Sequence, residues 1–159
     1  MAEPLVINTG PILTLAKIGA LEIAEQLPYH FLTPEQVVEE LEEGRKLGHP
    51  HSRPAWIEVH RLREPLRRFD TVTLGKGEAA VIQLALERSL TKVCIDEVKG
   101  RRVASTAGLS VVGVLGLLGR AKSLGLIHEL KPYLQKAVEE GIRYDPKLVQ
   151  RVLESVHEA

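Results

Sequence analysis

Short apolar runs alternate along the chain with longer stretches in which apolar residues recur every three or four positions. Leu5-Val6-Ile7 is a continuous apolar run of strand length that ends in the turn cluster Asn8-Thr9-Gly10-Pro11, so a buried strand should feed a helix starting near Pro11. Gly19 interrupts that helix, and residues 21–27 form another that Pro28 stops. Tyr29-His30-Phe31-Leu32 reads as a second strand. Thr33-Pro34-Glu35-Gln36 then offers an N-cap, a proline at the first helical position and the glutamine of a capping box, which predicts a helix to about Glu43, stopped by Gly44. Residues 45–54 are polar and proline-rich and read as a loop. Trp56-Ile57-Glu58-Val59 is a third strand, placed at an edge. Thr71-Val72-Thr73-Leu74 alternates as a strand does but also suits a loop ahead of the next helix. That helix, over 77–88, shows Val81, Ile82, Ala85 and Leu86 on one face. Lys92-Val93-Cys94-Ile95-Asp96 is a buried strand, residues 98–107 a helix and Ser110-Val111-Val112-Gly113 another strand. Helices near 114–124, 130–140 and 146–157 follow, the last opened by Asp145 as N-cap and Pro146 at its first position.

The resulting order, β-α-α-β-α-β-α-β-α-β-α-α-α, implies an α/β fold: a mostly parallel sheet of four or five strands with right-handed crossovers and helices on both faces. A length of 159 residues favours one domain with one core. The helices of about 130–157, with Leu148, Val149, Val152 and Val156 on one stripe, should either seal that domain or form an oligomer contact. There is no apolar run of about 18 residues, so no membrane span is expected. The start of the chain lacks the basic and long apolar regions of a signal peptide, and a single cysteine, Cys94, excludes an internal disulfide and a cysteine-based zinc site. A cytoplasmic protein is the expectation. Formal net charge is zero, so a nucleic-acid partner would have to be held by a local basic patch.

Ligands of open parallel sheets bind beyond the carboxyl ends of the strands. The residues standing there are Asn8, Thr9 and Gly10, Thr33, Asp96 and Glu97, and Gly113. Asp96-Glu97 directly follows an apolar strand, where an acid can cap the next helix or serve a site. Glu78 shares the core-facing stripe of helix 77–88 at its N-terminal end, where a carboxylate either meets the helix dipole or points into a polar pocket. In the acidic helix after Pro34, Glu39 and Glu43 point to solvent, while Glu40 and Glu42 flank the stripe of Val37, Val38 and Leu41. Periodicity does not choose between those two. Acids gathered together repel one another without a counter-ion, and hard oxygen ligands suit Mg²⁺ or Mn²⁺, which activate water against phosphodiesters. Lys99, Arg101 and Arg102 follow the acid pair, and Arg61, Arg63, Arg67 and Arg68 precede Glu78; they could hold phosphates or simply be charged surface. Gly75-Lys76-Gly77-Glu78-Ala79-Ala80 also fits the dinucleotide fingerprint, with Asp96 about 20 residues on. That fingerprint normally opens a fold, though, and here a strand-helix pattern fills the chain before it. Gly113, Gly116 and Gly119 lack the lysine of a phosphate loop and suit close helix packing. His49 and His51 have ligand spacing within a loop.

With those residues in place, the chain resembles the PIN-like nucleases, in the prokaryotic domain-of-unknown-function branch related to virulence-associated protein C type toxins. The likeness is carried by Val6-Ile7-Asn8-Thr9-Gly10-Pro11-Ile12, by Thr33-Pro34-Glu35-Gln36-Val37-Val38-Glu39-Glu40-Leu41, by Gly77-Glu78-Ala79-Ala80, by Ile95-Asp96-Glu97 with Lys99-Gly100-Arg101-Arg102, and by Val112-Gly113-Val114-Leu115-Gly116. It implies a three-layer α/β/α fold with strand order 3-2-1-4-5 and Mg²⁺- or Mn²⁺-dependent endoribonuclease activity. It also implies RNA as substrate, and in many relatives a dimeric toxin silenced by a small antitoxin. By position, the family's acids fall on Glu40, Glu78 and Asp96, the expected metal ligands, and on Glu97. Thr9 matches a hydroxyl that orients metal or water, and Lys99, Arg101 and Arg102 would contact phosphate. One departure stands out: Asn8 occupies the place of the usual first aspartate. It removes a charge, weakens the expected metal affinity, and leaves open a catalytically silent module that binds RNA or protein.

Overall fold

The computed structural model describes residues 2–49, 53–67 and 74–159. Five strands, β1 (Glu3–Ile7), β2 (Tyr29–Pro34), β3 (Glu58–His60), β4 (Lys92–Cys94) and β5 (Ser110–Val112), form one sheet in the order β3-β2-β1-β4-β5. Every pairing is parallel, from Leu5 beside Phe31 at the centre to Val93 beside Val111 at one edge. The helices are α1 (Thr9–Lys17), α2 (Leu21–Gln26), α3 (Glu35–Lys46), α4 (Lys76–Glu87), α5 (Val98–Thr106), α6 (Val114–Ser123), α7 (Lys131–Glu139) and α8 (Pro146–Ser155). The element order is the one the hydrophobic pattern predicts, and the strand order the one the family resemblance implies.

The central strands are apolar on both faces because both are covered. Leu5, Val6, Ile7, Val93, Cys94 and Ile95 have no exposed surface, and α4 lies across β1, β2 and β4 with α3 and α5 at its sides. On the other side α6 packs against α1, α2 and α8. Gly116 of α6 lets the helix approach β5, since a Cβ there would come within 2.8 Å of Val112 Cγ2. Cys94 is a small core residue, as its apolar strand implies.

The boundaries differ from the expected ones in instructive ways. Helix α1 begins at Thr9, two residues before Pro11, so Asn8 itself stands at the N-cap. Thr33 does not cap α3; its buried hydroxyl donates to the Ile7 carbonyl (2.8 Å), clamping β2 to the end of β1, and Pro34 takes the cap position. Gly44 does not stop α3, which runs on to Lys46. The third strand is Glu58–His60 rather than 56–59, and Trp56 packs edge-on against Phe31 instead. Residues 71–73, together with Arg68 and His51, lie outside the described residues.

The last helix both seals and exposes. Val156 is buried, and Glu158 just beyond α8 accepts from Lys122 Nζ (2.8 Å) and from the Leu130 N–H (2.7 Å) at the head of α7. Leu148 at the other end of α8 is 36 % exposed. Among the described residues, no helix is long and apolar enough to cross a membrane.

Candidate active site

The parallel arrangement brings the carboxyl ends of β1 and β4 side by side. The Asn8 N–H donates to the Cys94 carbonyl (3.1 Å), so the residue after β1 is fixed against the end of β4. The Asn8 side chain makes no cap bond to α1, and its Oδ1 is buried without a hydrogen-bond partner. Thr9 Oγ1 shares that condition.

Glu40 reaches this turn from α3. A Cβ added at Gly77 would collide with the Glu40 carboxylate and come within 3.3 Å of Asn8 Oδ1, so glycine at the start of α4 is what leaves room for both side chains. Glu40 is exposed as a residue, but its carboxyl end is tucked against that glycine. Burial raises its pKa above the ordinary carboxylate value, opposed by the nearby Thr9 hydroxyl and the Gly77 N–H. The Thr9 hydroxyl lies close enough to act on Glu40 without reaching good hydrogen-bond geometry. Glu42, the competing residue on the stripe, instead pairs with Arg45 (3.1 Å) on the exposed side of α3. The structure separates the two where periodicity did not.

Glu78, in the first turn of α4, faces the same region. Its pKa is raised first by burial, then by the charges of Glu97 and, more weakly, Glu40, against the lowering effect of the Gly75 N–H. Its Oε2 is buried with no partner. Gly100 of α5 lies beneath it, and a Cβ there would strike that oxygen and press within 3.0 Å of Ile95 Cγ2. Glu97 stands exposed at the N-cap of α5 and makes no side-chain cap bond. Glu78, under the like charges of Glu97 and Glu40, thus shares one end of the sheet with an amide oxygen and a hydroxyl.

Asp96 follows a different course. Its Oδ1 accepts from the Val114 N–H (3.0 Å) at the head of α6, and Arg101 lies beside it. Burial raises its pKa, while the Val114 N–H and Arg101 hold it down. Arg101 is anchored through Nη1 to the Ile95 carbonyl (3.1 Å). A Cβ at Gly113 would approach Asp96 Oδ1 to 2.5 Å and Arg101 Nη1 to 2.8 Å, so this nest also depends on a missing side chain. The expected ligand trio Glu40, Glu78 and Asp96 is therefore not drawn together as one cage. Glu78 is acted on by Glu97 and Glu40, whereas Asp96 turns toward α6. Among the described residues, no three His, Cys, Asp or Glu side chains converge as a metal cage would require. Lys99 and Arg102 lie exposed on α5, and Arg101 is turned inward.

The donor set nevertheless fits a hard cation. Mg²⁺ is held by one or two carboxylates, keeps several waters and tolerates neutral oxygens. Unpartnered Asn8 Oδ1, Thr9 Oγ1 and Glu78 Oε2 are such oxygens. The same chemistry argues against the dinucleotide reading, because the carboxylate packed on Gly77 would repel a pyrophosphate. Gly77 and Gly100 are the parts of the site that sequence reading did not assign; their signal was a glycine beside an acid at a helix start and one two residues inside the next helix.

A five-stranded parallel sheet in the order 3-2-1-4-5, flanked by helices and carrying acids at its carboxyl ends, is the architecture of a PIN-like α/β/α nuclease-type module. The chain belongs to the PIN domain family DUF3368, whose model matches residues 4–158. No curated protein and no solved structure matches it.

Proposed function

We propose that the protein is a divalent-metal-dependent endoribonuclease in which Glu40 and Glu78, with Glu97 at the rim, hold a Mg²⁺ or Mn²⁺ ion beside Asn8 and Thr9. The observation carrying this reading is the trio of buried oxygens without partners, Asn8 Oδ1, Thr9 Oγ1 and Glu78 Oε2, set among carboxylates whose pKa values are raised. Buried polar atoms without partners are costly, and a cation with its waters would satisfy all three. When bound, the cation supplies a water of lowered pKa and neutralises charge on the scissile phosphate. Glu40 and Glu78 fix its position from two helices. Glu97, exposed at the rim, would add a carboxylate to the shell of such a cation. Asp96 serves as a positioning residue, holding the head of α6 and Arg101 in register with that end of the sheet. Roles as a toxin, with a small antitoxin and a homodimeric assembly, extend the proposal from the family resemblance.

A second reading is favoured by one observation: the amide at Asn8 leaves the site one charge short of the usual family pattern. In that reading the protein binds RNA without cutting it.

The test is RNA cleavage with Mg²⁺ or Mn²⁺ by the wild-type chain and by Glu40→Gln and Glu78→Gln. Both variants should fold and lose about a hundredfold or more of the activity, on the scale at which removing a group that activates water acts. Cleavage that survives EDTA, or equal rates in all three proteins, would overturn the proposal. Metal binding with no cleavage in any protein would leave the silent module as the reading.

A further inference from the structure

A groove of about 570 Å³ opens on the far side of Asp96, walled by the edge strand β5, the head of α6 and the first turns of α8. Its floor is apolar, with Val111, Val112 and Val152, and Leu148 and Val98 stand exposed at its rim, Val98 at 68 %. Three arginines reach it, Arg101, Arg143 and Arg151, against two carboxylates, Asp96 and Asp145. The carboxylates are already engaged: Asp96 accepts from the Val114 N–H, and Asp145 accepts from the Lys147 N–H (2.8 Å) at the head of α8. Arg101 is anchored to Ile95. Arg143 and Arg151 are exposed and make no hydrogen bond or ion pair with any described residue. The heads of α6 and α8 are the groups those two carboxylates occupy, which leaves Arg143 and Arg151 as the open charges of the groove. The groove is therefore a positive channel with an apolar floor.

That combination discriminates among polyanions. A duplex offers mainly phosphates and sugar edges at its surface, and an apolar floor gains nothing from it. An unpaired strand offers phosphates to arginines and splayed base faces to apolar side chains. The groove lies at the carboxyl end of the sheet, since Asp96 and Gly113 stand just beyond β4 and β5.

We propose that this groove holds a single-stranded segment of the nucleic-acid substrate at the carboxyl end of the sheet, its phosphates on Arg143 and Arg151 and its bases on the β5–α8 floor. The proposal rests on the ribonuclease reading for its substrate, and its test separates the two. Binding of a labelled oligouridine to the full chain is measured in EDTA, where cleavage is suppressed, across a range of salt. Arg143→Ala with Arg151→Ala should weaken binding about tenfold and reduce the salt dependence by about 0.7 for each phosphate no longer neutralised. Leu148→Asp, which places a like charge at the rim, should weaken it as well. All three positions are exposed, and circular dichroism should show the folded chain in each variant.

A wild type that binds oligouridine through these arginines but never cuts it would sink the nuclease reading and leave the groove standing. Binding and cleavage left unchanged by Arg143→Ala with Arg151→Ala and by Leu148→Asp would sink the groove and leave the nuclease standing. Equal affinity for duplex RNA, or polyglutamate displacing oligouridine at equal charge, would overturn the single-strand assignment. No binding of oligouridine at all would do so too.

Discussion

Asp96 and Glu97 are neighbours in the chain, carry the same charge and stand at the end of the same strand, yet their surroundings are opposite. Asp96 has a backbone N–H at 3.0 Å and a guanidinium beside it, which offset part of what burial costs its charge. Glu97 has neither, and its charge bears instead on Glu78, whose own oxygen is buried without a partner. Asp96, in the turn after β4, faces the head of α6, whereas Glu97 is the N-cap of α5, so one carboxylate went to building and its neighbour to repulsion. The Asp96 carboxylate holds the head of α6 at neutral pH, although burial leaves its pKa raised. Uncompensated carboxylates store an unfavourable energy that a cation or a proton removes.

The largest effect on that contrast is expected at Asn8. Asn8→Asp adds a fourth negative charge to the uncompensated side, so Mn²⁺ affinity by calorimetry should rise about tenfold and RNA cleavage should rise with it. Unchanged affinity would mean that the side chain lies outside the metal's reach.

Swapping the neighbours' fates comes next in size. Asp96→Ala removes the acceptor for the head of α6 and the countercharge beside Arg101, which should cost about 1–2 kcal/mol in a denaturant titration. Asp96→Asn keeps an acceptor oxygen and should recover most of that stability together with cleavage. If Asp96→Asn instead kept stability while cleavage collapsed, Asp96 would belong with the metal-holding acids. Glu97→Gln should leave stability within error and weaken metal binding.

The smallest effect tests the stored repulsion itself. The folded-state pKa of Glu78 is raised, so above it the native protein carries a charge that the fold disfavours. Stability from this group is therefore present at low pH and is lost as pH rises from the ordinary carboxylate value through the raised one. In EDTA at neutral pH, Glu78→Gln should melt about 2 °C above the wild type, and the gap should close as acid protonates the wild-type carboxyl. A gap that stays constant across pH, or runs the other way, would show that Glu78 is not under electrostatic pressure.

Much of this arrangement could be read from residue order. The run Leu5-Val6-Ile7 and the run Val93-Cys94-Ile95 are apolar throughout because both faces of a central parallel strand are covered, and that pattern is visible without coordinates. The placement of Glu78 on the core-facing stripe of α4 followed from its spacing to Val81 and Ile82. The division between Asp96 and Glu97 was not legible, because it depends on where β5 ends and α6 begins, well downstream of the acid pair. Thr33 misled for a related reason: the cap motif is a local signal, but its hydroxyl was taken by the Ile7 carbonyl of a neighbouring strand. Arg143 and Arg151 gave no warning either, since their meaning comes from an edge strand far away in sequence.

Gly77, Gly100 and Gly113 each lie under a carboxylate oxygen, of Glu40, Glu78 and Asp96 in turn. The acidic end of the sheet is thus shaped by three absent methyl groups as much as by the acids above them. For a lineage drifting under selection, the easiest way to silence such a centre is a single alanine that leaves every charged residue intact. A relative that retained all its acids but had lost one of these glycines would look competent by motif and be inert in the tube.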